Sequence, residues 1–162
     1  MLDRILSEVH ASFLAGAAIS PEVSSGHVWS DGADIVFEWV SPDGRRTLQR
    51  RPDVPYRDGA KYMWGKGERL PIGVPEGMAA RVAQTDNPLV IVEGTKQGLA
   101  AASAALMPGN TSQWAVVQMS GCYGWKQDGA PLSDLLAIPM EGRRVIIVLD
   151  ADMGNNRAVY DA

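Results

Sequence analysis

Leu89-Val-Ile-Val-Glu93-Gly-Thr-Lys96-Gln-Gly-Leu-Ala-Ala101 is the stretch from which the fold is read. Four apolar residues in a row, without polar alternation, suit a strand of a parallel sheet covered on both faces. Glu93-Gly94 follows as a tight turn, and the small-residue run from Gln97 to Leu106 predicts a helix packed behind the strand. Downstream, Trp114 to Met119 repeats the strand pattern and ends in Ser120-Gly121. Arg144 to Leu149 repeats it again and ends in Asp150-Ala151-Asp152. Three such strands with helical segments between them predict an open α/β sheet.

In sheets of this kind ligands bind beyond the carboxyl ends of the strands. The three ends here carry Glu93, Ser120-Gly121 and Asp150 with Asp152. Two carboxylates at i and i+2 past one strand, joined by a third from a neighbouring strand, offer hard oxygen ligands. That donor set suits Mg2+ or Mn2+, with substrate phosphates completing the shell. Glu93 is the candidate general base as well as a metal ligand. Gly94 and Gly121 would let a phosphate approach the backbone, and Lys96, at the start of the following helix, could pair with a phosphate oxygen. Either acid alone is better read as a helix cap. Together at adjacent strand ends they point to a site.

Upstream of this sheet the pattern differs. Leu2, Ile5, Leu6, Val9, Phe13 and Leu14 recur at helical spacing, and Gly16 and Ser20-Pro21 then end the helix. Asp34 to Val40 is strand-like, Ser41-Pro-Asp-Gly44 is a turn, and Arg45 to Arg50 returns as the second strand of a hairpin. Residues 52 to 77 are rich in Pro and Gly and read as connection, with a boundary near Pro75. The expectation is a small α+β module, helix plus hairpin, over 1–75, followed by the parallel-sheet domain over 76–162.

With 162 residues, 46 % of them hydrophobic, the chain can bury a real core. The N-terminal residues carry Asp3, Glu8 and His10 before any apolar run reaches the length of a signal sequence or membrane span, so a cytoplasmic protein with no membrane partner is expected. One cysteine, Cys122, excludes an internal disulfide, and with two histidines it cannot supply the four ligands of a zinc ribbon. His10 and His27 have no visible partners in sequence. Gly59 to Lys66 resembles a Walker A loop only superficially, since the glycine spacing is too long and Gly67 stands where Ser or Thr belongs.

The net charge of -4 is unfavourable for nucleic acid, but the distribution is uneven. Arg45, Arg46, Arg50, Arg51, Arg57, Lys61, Lys66 and Arg69 face only Asp53, Asp58 and Glu68 in the same segment, so 8 minus 3 leaves +5. A cationic face beside an acidic metal site is what a polynucleotide enzyme requires, and a solvated strand pair is the plainer alternative. Tyr56, Tyr62, Trp64 and Trp125 could stack on unpaired bases or simply pack under loops, with Trp125 the best placed to stack because it follows a strand end.

Val92-Glu-Gly-Thr-Lys-Gln-Gly-Leu-Ala-Ala101 and Val145-Ile-Ile-Val-Leu-Asp-Ala-Asp152 resemble the two signature motifs of the Toprim superfamily, over roughly Pro88 to Ala162. Gly121-Cys-Tyr-Gly-Trp125, Arg50-Arg-Pro-Asp53 and Lys61-Tyr62 are similar to segments of Toprim-containing primase-like proteins of phages and plasmids. The resemblance implies a Toprim-type open parallel sheet flanked by helices, Glu93 as acid/base, and Asp150 and Asp152 as metal ligands. It further implies a DNA primase or primase-like nucleotidyl transferase of phage or plasmid replication. Its partners would be single-stranded DNA and nucleotides, with a replicative helicase domain or a second chain beside them. Two departures bear on this. Gly154 stands where topoisomerase-type sites carry a further aspartate, and the sequence reaches Ala162 before the fourth strand of such domains, so that strand is expected to be missing or supplied elsewhere. A Toprim nuclease and a non-catalytic module that docks DNA or a helicase remain open.

Overall fold

Ser7 decides where the first helix starts. Its side chain accepts a hydrogen bond from the His10 N–H, so α1 runs Glu8–Gly16 and not from Leu2. Ile5, two residues before Ser7, lies against a later strand instead, where the Ser30 N–H donates to the Ile5 carbonyl at 2.9 Å. The expected apolar stripe is therefore broken. Leu6, Phe13 and Leu14 pack inward, while Ile5 and Val9 are exposed. The computed structural model describes residues 4–56 and 59–150, so Leu2 lies outside the described residues. Ser20-Pro21, expected only as a stop, also opens a one-turn helix, α2 (Pro21–Ser24), with Pro at its first position.

The hairpin foreseen between Asp34 and Arg50 forms as part of a larger sheet. β1 (Val28–Asp31), β2 (Asp34–Val40), β3 (Arg46–Pro52) and β4 (Met63–Trp64) are antiparallel in that order. The missed first strand had a signal. Gly32-Ala33 makes a two-residue connection between Asp31 and Asp34, with Gly32 at φ 62°, where a side chain would be strained. The Ser41 to Gly44 turn is as read, closed by the Gly44 N–H to the Ser41 carbonyl at 2.8 Å. In the β2–β3 register Ile35 pairs with Arg51, Phe37 with Gln49 and Trp39 with Thr47, which puts these six residues on one face. That face meets the second sheet.

Among the described residues the second sheet is three-stranded and parallel, in the order β6 (Ala115–Gln118), β5 (Leu89–Val92), β9 (Val145–Val148). A short α3 (Ala79–Val82) precedes β5, and α4 (Thr95–Leu106) follows it and packs on β6 and β5. β5 has its predicted bounds, while β6 and β9 are each one residue shorter at both ends than the ranges read from the sequence. Between β6 and β9 the expected helical segment is largely replaced by a small hairpin, β7 (Lys126–Gln127) with β8 (Ala130–Pro131), and one turn, α5 (Ser133–Leu136). Asp128 and Gly129 both take positive φ there, a tight connection that a helix could not follow. β5 and β6 are buried throughout. β9 is not, because among the described residues it is an edge strand and α4 lies over its neighbours; Ile147 is 63 % exposed.

The two sheets share one core. Val23, Ile35, Phe37 and Trp39 belong to the same cluster of buried residues as Leu89, Ile91, Val116 and Val117. The connection near Pro75 is itself tied to both. Gly73 exchanges two backbone hydrogen bonds of 2.9 Å with Gln118, and the Val74 N–H donates to the Val40 carbonyl at 2.7 Å. Arg143 closes the far side: its buried guanidinium donates to the carbonyls of Arg81, Val82, Asn87 and Pro139 at 2.6–3.3 Å, satisfying the end of α3.

Candidate active site

The register of the parallel sheet brings the strand ends together. Val92 lies between Gln118 and Val148, so Glu93 leaves the central strand with Asp150 beside it and Ser120-Gly121 on the other flank. Glu93 Oε2 accepts a hydrogen bond from the Asp150 backbone N–H at 3.0 Å. On the opposite side the Gly121 N–H donates to the Glu93 carbonyl at 2.9 Å. Gly121 has φ 85°, a conformation that glycine adopts without the steric cost of a side chain. Asp150 Oδ1 also accepts from the Gln97 side-chain amide, a contact the sequence reading did not foresee. It follows from Gln97 standing in the first turn of α4 behind the Gly94 N-cap.

These groups line one wall of a cleft of about 550 Å3. The opposite wall comes from the antiparallel sheet: Gln49 and Arg51 of β3, Lys61 and Tyr62, and Trp64 of β4. The two walls are locked at the start of α4, where the buried Thr95 hydroxyl donates to the Gln49 side-chain carbonyl. Lys96 shares a ring with the facing wall. Phe13 of α1 has its ring centroid 4.2 Å from the Arg51 guanidinium carbon and 5.3 Å from Lys96 Nζ, so one aromatic ring holds two cations of the cleft lining. Burial raises the pKa of the Tyr62 hydroxyl, and Arg51 offsets part of that rise.

The basic residues read from the sequence divide sharply. Arg51 and Lys61 face the cleft. Arg50 points to the other face of β3 and pairs with Asp31 at 2.7 Å and Asp34 at 3.5 Å. Arg46 pairs with Glu38, and Arg45 and Arg69 both reach Asp134. Lys66 is exposed and is not among the residues lining the cleft. The aromatic residues mostly pack. Trp64 meets Trp39 edge-on at 4.9 Å, Tyr62 lies 6.3 Å from Phe37, and Trp125 is partly buried beneath Lys126 at 4.7 Å, outside the cleft lining. Arg57, Asp152 and Gly154 lie outside the described residues.

The histidines do have partners. Buried His10 places Nδ1 2.7 Å from Ser30 Oγ and Nε2 3.0 Å from Asp53 Oδ1. His27 bridges Glu38 at 3.2 Å and Glu76 at 2.9 Å. Sequence could not find these pairs, because each crosses the antiparallel sheet or the connection after it. Among the described residues no cluster of three metal-ligating side chains forms; Glu93 and Asp150 supply the carboxylates at the strand ends.

No family model matches the chain, and no curated protein does. Among solved structures, the zinc-binding and RNA polymerase domains of Aquifex aeolicus primase align with it at TM-score 0.52 and 18 % identity, over 95 % of this chain and 45 % of that one. The chain thus spans under half of that structure's length. No helix among the described residues is long and apolar enough to cross a membrane. What the alignment carries is the architecture: a mixed α/β fold, with its antiparallel and parallel sheets, similar to part of a primase.

Proposed function

We propose that the chain is the Toprim-type catalytic region of a primase-like nucleotidyl transferase that works on single-stranded DNA in phage or plasmid replication. The observation that carries this reading is the cleft itself, in which Glu93 and Asp150 at adjacent parallel-strand ends face Arg51 and Lys61 across about 550 Å3. Its support from fold is the similarity to primase domains.

The donor chemistry fits a divalent ion, since the strand ends present carboxylate oxygens and no thiol or imidazole in the cleft lining. Glu93, Asp150 and Asp152 would hold Mg2+ or Mn2+, which when bound neutralises phosphate charge. Glu93 accepts the proton of the attacking 3' hydroxyl, and the Asp150 N–H keeps its carboxylate oriented toward the neighbouring strand end. Lys96 and Arg51 draw the nucleotide phosphates to the same side as Phe13. Gly94 and Gly121 leave the backbone at the strand ends open to a phosphate. A helicase domain or second chain would act beside this site.

The test is incubation of the intact protein with labelled single-stranded DNA, nucleotides and magnesium. Extension that disappears in both Glu93→Gln and Asp150→Asn supports the proposal. Shortening of the strand independent of nucleotides would make it a nuclease, and binding without turnover in the wild-type protein a docking module.

A further inference from the structure

Phe13 stands behind the strand-end cleft and not in it. It belongs to α1, its ring is half-buried against the shared core, and it is not among the residues that line the cleft. The ring centroid is nevertheless 4.2 Å from the Arg51 guanidinium carbon and 5.3 Å from Lys96 Nζ, and both of those side chains do line it. Arg51 comes from β3 and Lys96 from the first turn of α4, so one ring joins the two walls.

Both cations lack an acidic partner. Among the described residues neither Arg51 nor Lys96 forms an ion pair, whereas Arg45, Arg46, Arg50 and Arg69 each meet a carboxylate. The two charges lie within about 10 Å of each other, a Debye length at 0.1 M salt, so part of their repulsion survives. The Phe13 ring offsets it, because the negative face of an aromatic ring attracts a cation. Arg51 is fixed a second time by its hydrogen bond to the Tyr62 hydroxyl. A leucine at position 13 would cover the same aliphatic stems without attracting the charges, so the aromatic face is what separates holding the cations from packing beneath them.

A guanidinium and an ammonium held side by side, neither of them neutralised, complement an anion with several oxygens. Phosphate is such an anion, and these two groups are its usual side-chain donors. We propose that Phe13 is a positioning residue, whose ring holds Arg51 and Lys96 together as a two-cation receptor for phosphate oxygens in the cleft. This role rests on the reading of the cleft as a site for nucleotides and single-stranded DNA, and it extends that reading to α1, which supplies no residue to the lining. Nucleotide tails and the strand backbone both carry such oxygens, and the two arms of the test separate them.

The test is isothermal titration of the intact protein, free of divalent metal, with inorganic tripolyphosphate in one arm and a short oligothymidylate in the other. Phe13→Leu should weaken binding about fivefold in at least one arm, and Phe13→Tyr should stay within about twofold of the wild type. Pentafluorophenylalanine at position 13 keeps the shape of the ring and reverses its quadrupole. It should match Phe13→Leu, and it carries the test alone where Phe13→Leu does not fold. In Arg51→Met and in Lys96→Met, taken singly, the loss from Phe13→Leu should be smaller than in the wild type. A response to tripolyphosphate assigns the receptor to the nucleotide tail, and a response to the oligonucleotide alone assigns it to the strand. The proposal is overturned if the fluorinated ring binds both probes as the wild type does, if Phe13→Tyr loses as much as Phe13→Leu, if the loss is as large in both single variants as in the wild type, or if neither probe binds. Primer extension reports separately on the polymerase reading: binding that depends on Phe13 without extension keeps the receptor and removes the polymerase.

Discussion

Arg45 and Asp134, 89 residues apart in sequence, form an ion pair at 3.1 Å between the turn before β3 and the start of α5. Asp134 is buried, and it also accepts from Arg69 at 2.7 Å and from the Ile72 N–H at 3.2 Å. One carboxylate therefore fastens the antiparallel sheet, the connection after β4 and the segment before β9. Asp134→Ala should cost about 2–3 kcal/mol in denaturant melts, because it removes charge-assisted hydrogen bonds to a buried acceptor. Arg45→Met should cost no more than about 1 kcal/mol, since that side chain is partly exposed and Arg69 remains. Equal losses in the two variants would contradict the central place given to Asp134.

Arg50 and Arg51 are neighbours in sequence and opposites in the fold. Arg51 faces the cleft, whereas Arg50 is held on the other face by Asp31 and Asp34, and the hydrogen bond to Asp31 is the main cause of its raised pKa. For single strands each phosphate neutralised contributes about 0.7 to the slope of log affinity against log salt. Arg51→Met and Lys61→Met should each lower that slope by about this amount in single-stranded DNA titrations, and Arg50→Met should leave it where it was. A loss of slope from Arg50→Met equal to that from Arg51→Met would remove the cleft as the DNA path.

That division marks how far the sequence could be read. Continuous apolar runs fixed the parallel strands, because a strand buried on both faces leaves a pattern independent of its partners. The same runs placed Glu93 and Asp150 at strand ends, and the alignment of those ends followed once the strands were parallel neighbours. The basic segment was legible only as a sum. Which of its arginines meet Glu38, Asp134 or Asp31 depends on strand register and on residues far along the chain, and alternation in β3 sends consecutive arginines to opposite faces. The edge exposure of β9 was invisible for a related reason: its composition matches that of β5, and only sheet order separates them. Gly32-Ala33 is different, since the turn chemistry of its glycine was present to be read.

Glu38 predicts a pH response. Its burial alone would raise the carboxyl pKa, but the hydrogen bond and charge of Arg4, then Arg46 and His27, outweigh burial and hold it below the ordinary glutamate range. The folded state thus binds this proton more weakly than the unfolded chain does. The resulting stabilisation is complete above the unfolded pKa and is lost as pH falls through the lower folded value. Stability measured by denaturant melts should decline on the acid side, and Glu38→Gln should flatten that decline while lowering stability at neutral pH. An acid limb of unchanged steepness in Glu38→Gln would assign it to other carboxylates.

Gly98 offers a test in which the sign of one substitution depends on another residue. In an exposed helix interior, Gly→Ala stabilises by about 1 kcal/mol. At Gly98 the new Cβ would stand 2.0 Å from Gln118 Oε1 and 2.7 Å from Gln118 Cβ, and rotation of the amide relieves only the first of these contacts. Gly98→Ala alone should therefore destabilise by about 1–3 kcal/mol, the usual cost of overpacking. In a Gln118→Gly background the obstructing side chain is gone, Cβ included, the helix preference acts unopposed, and the same substitution should stabilise. A double-mutant cycle with no coupling between the two positions would show that Gln118 does not determine why a glycine stands inside α4.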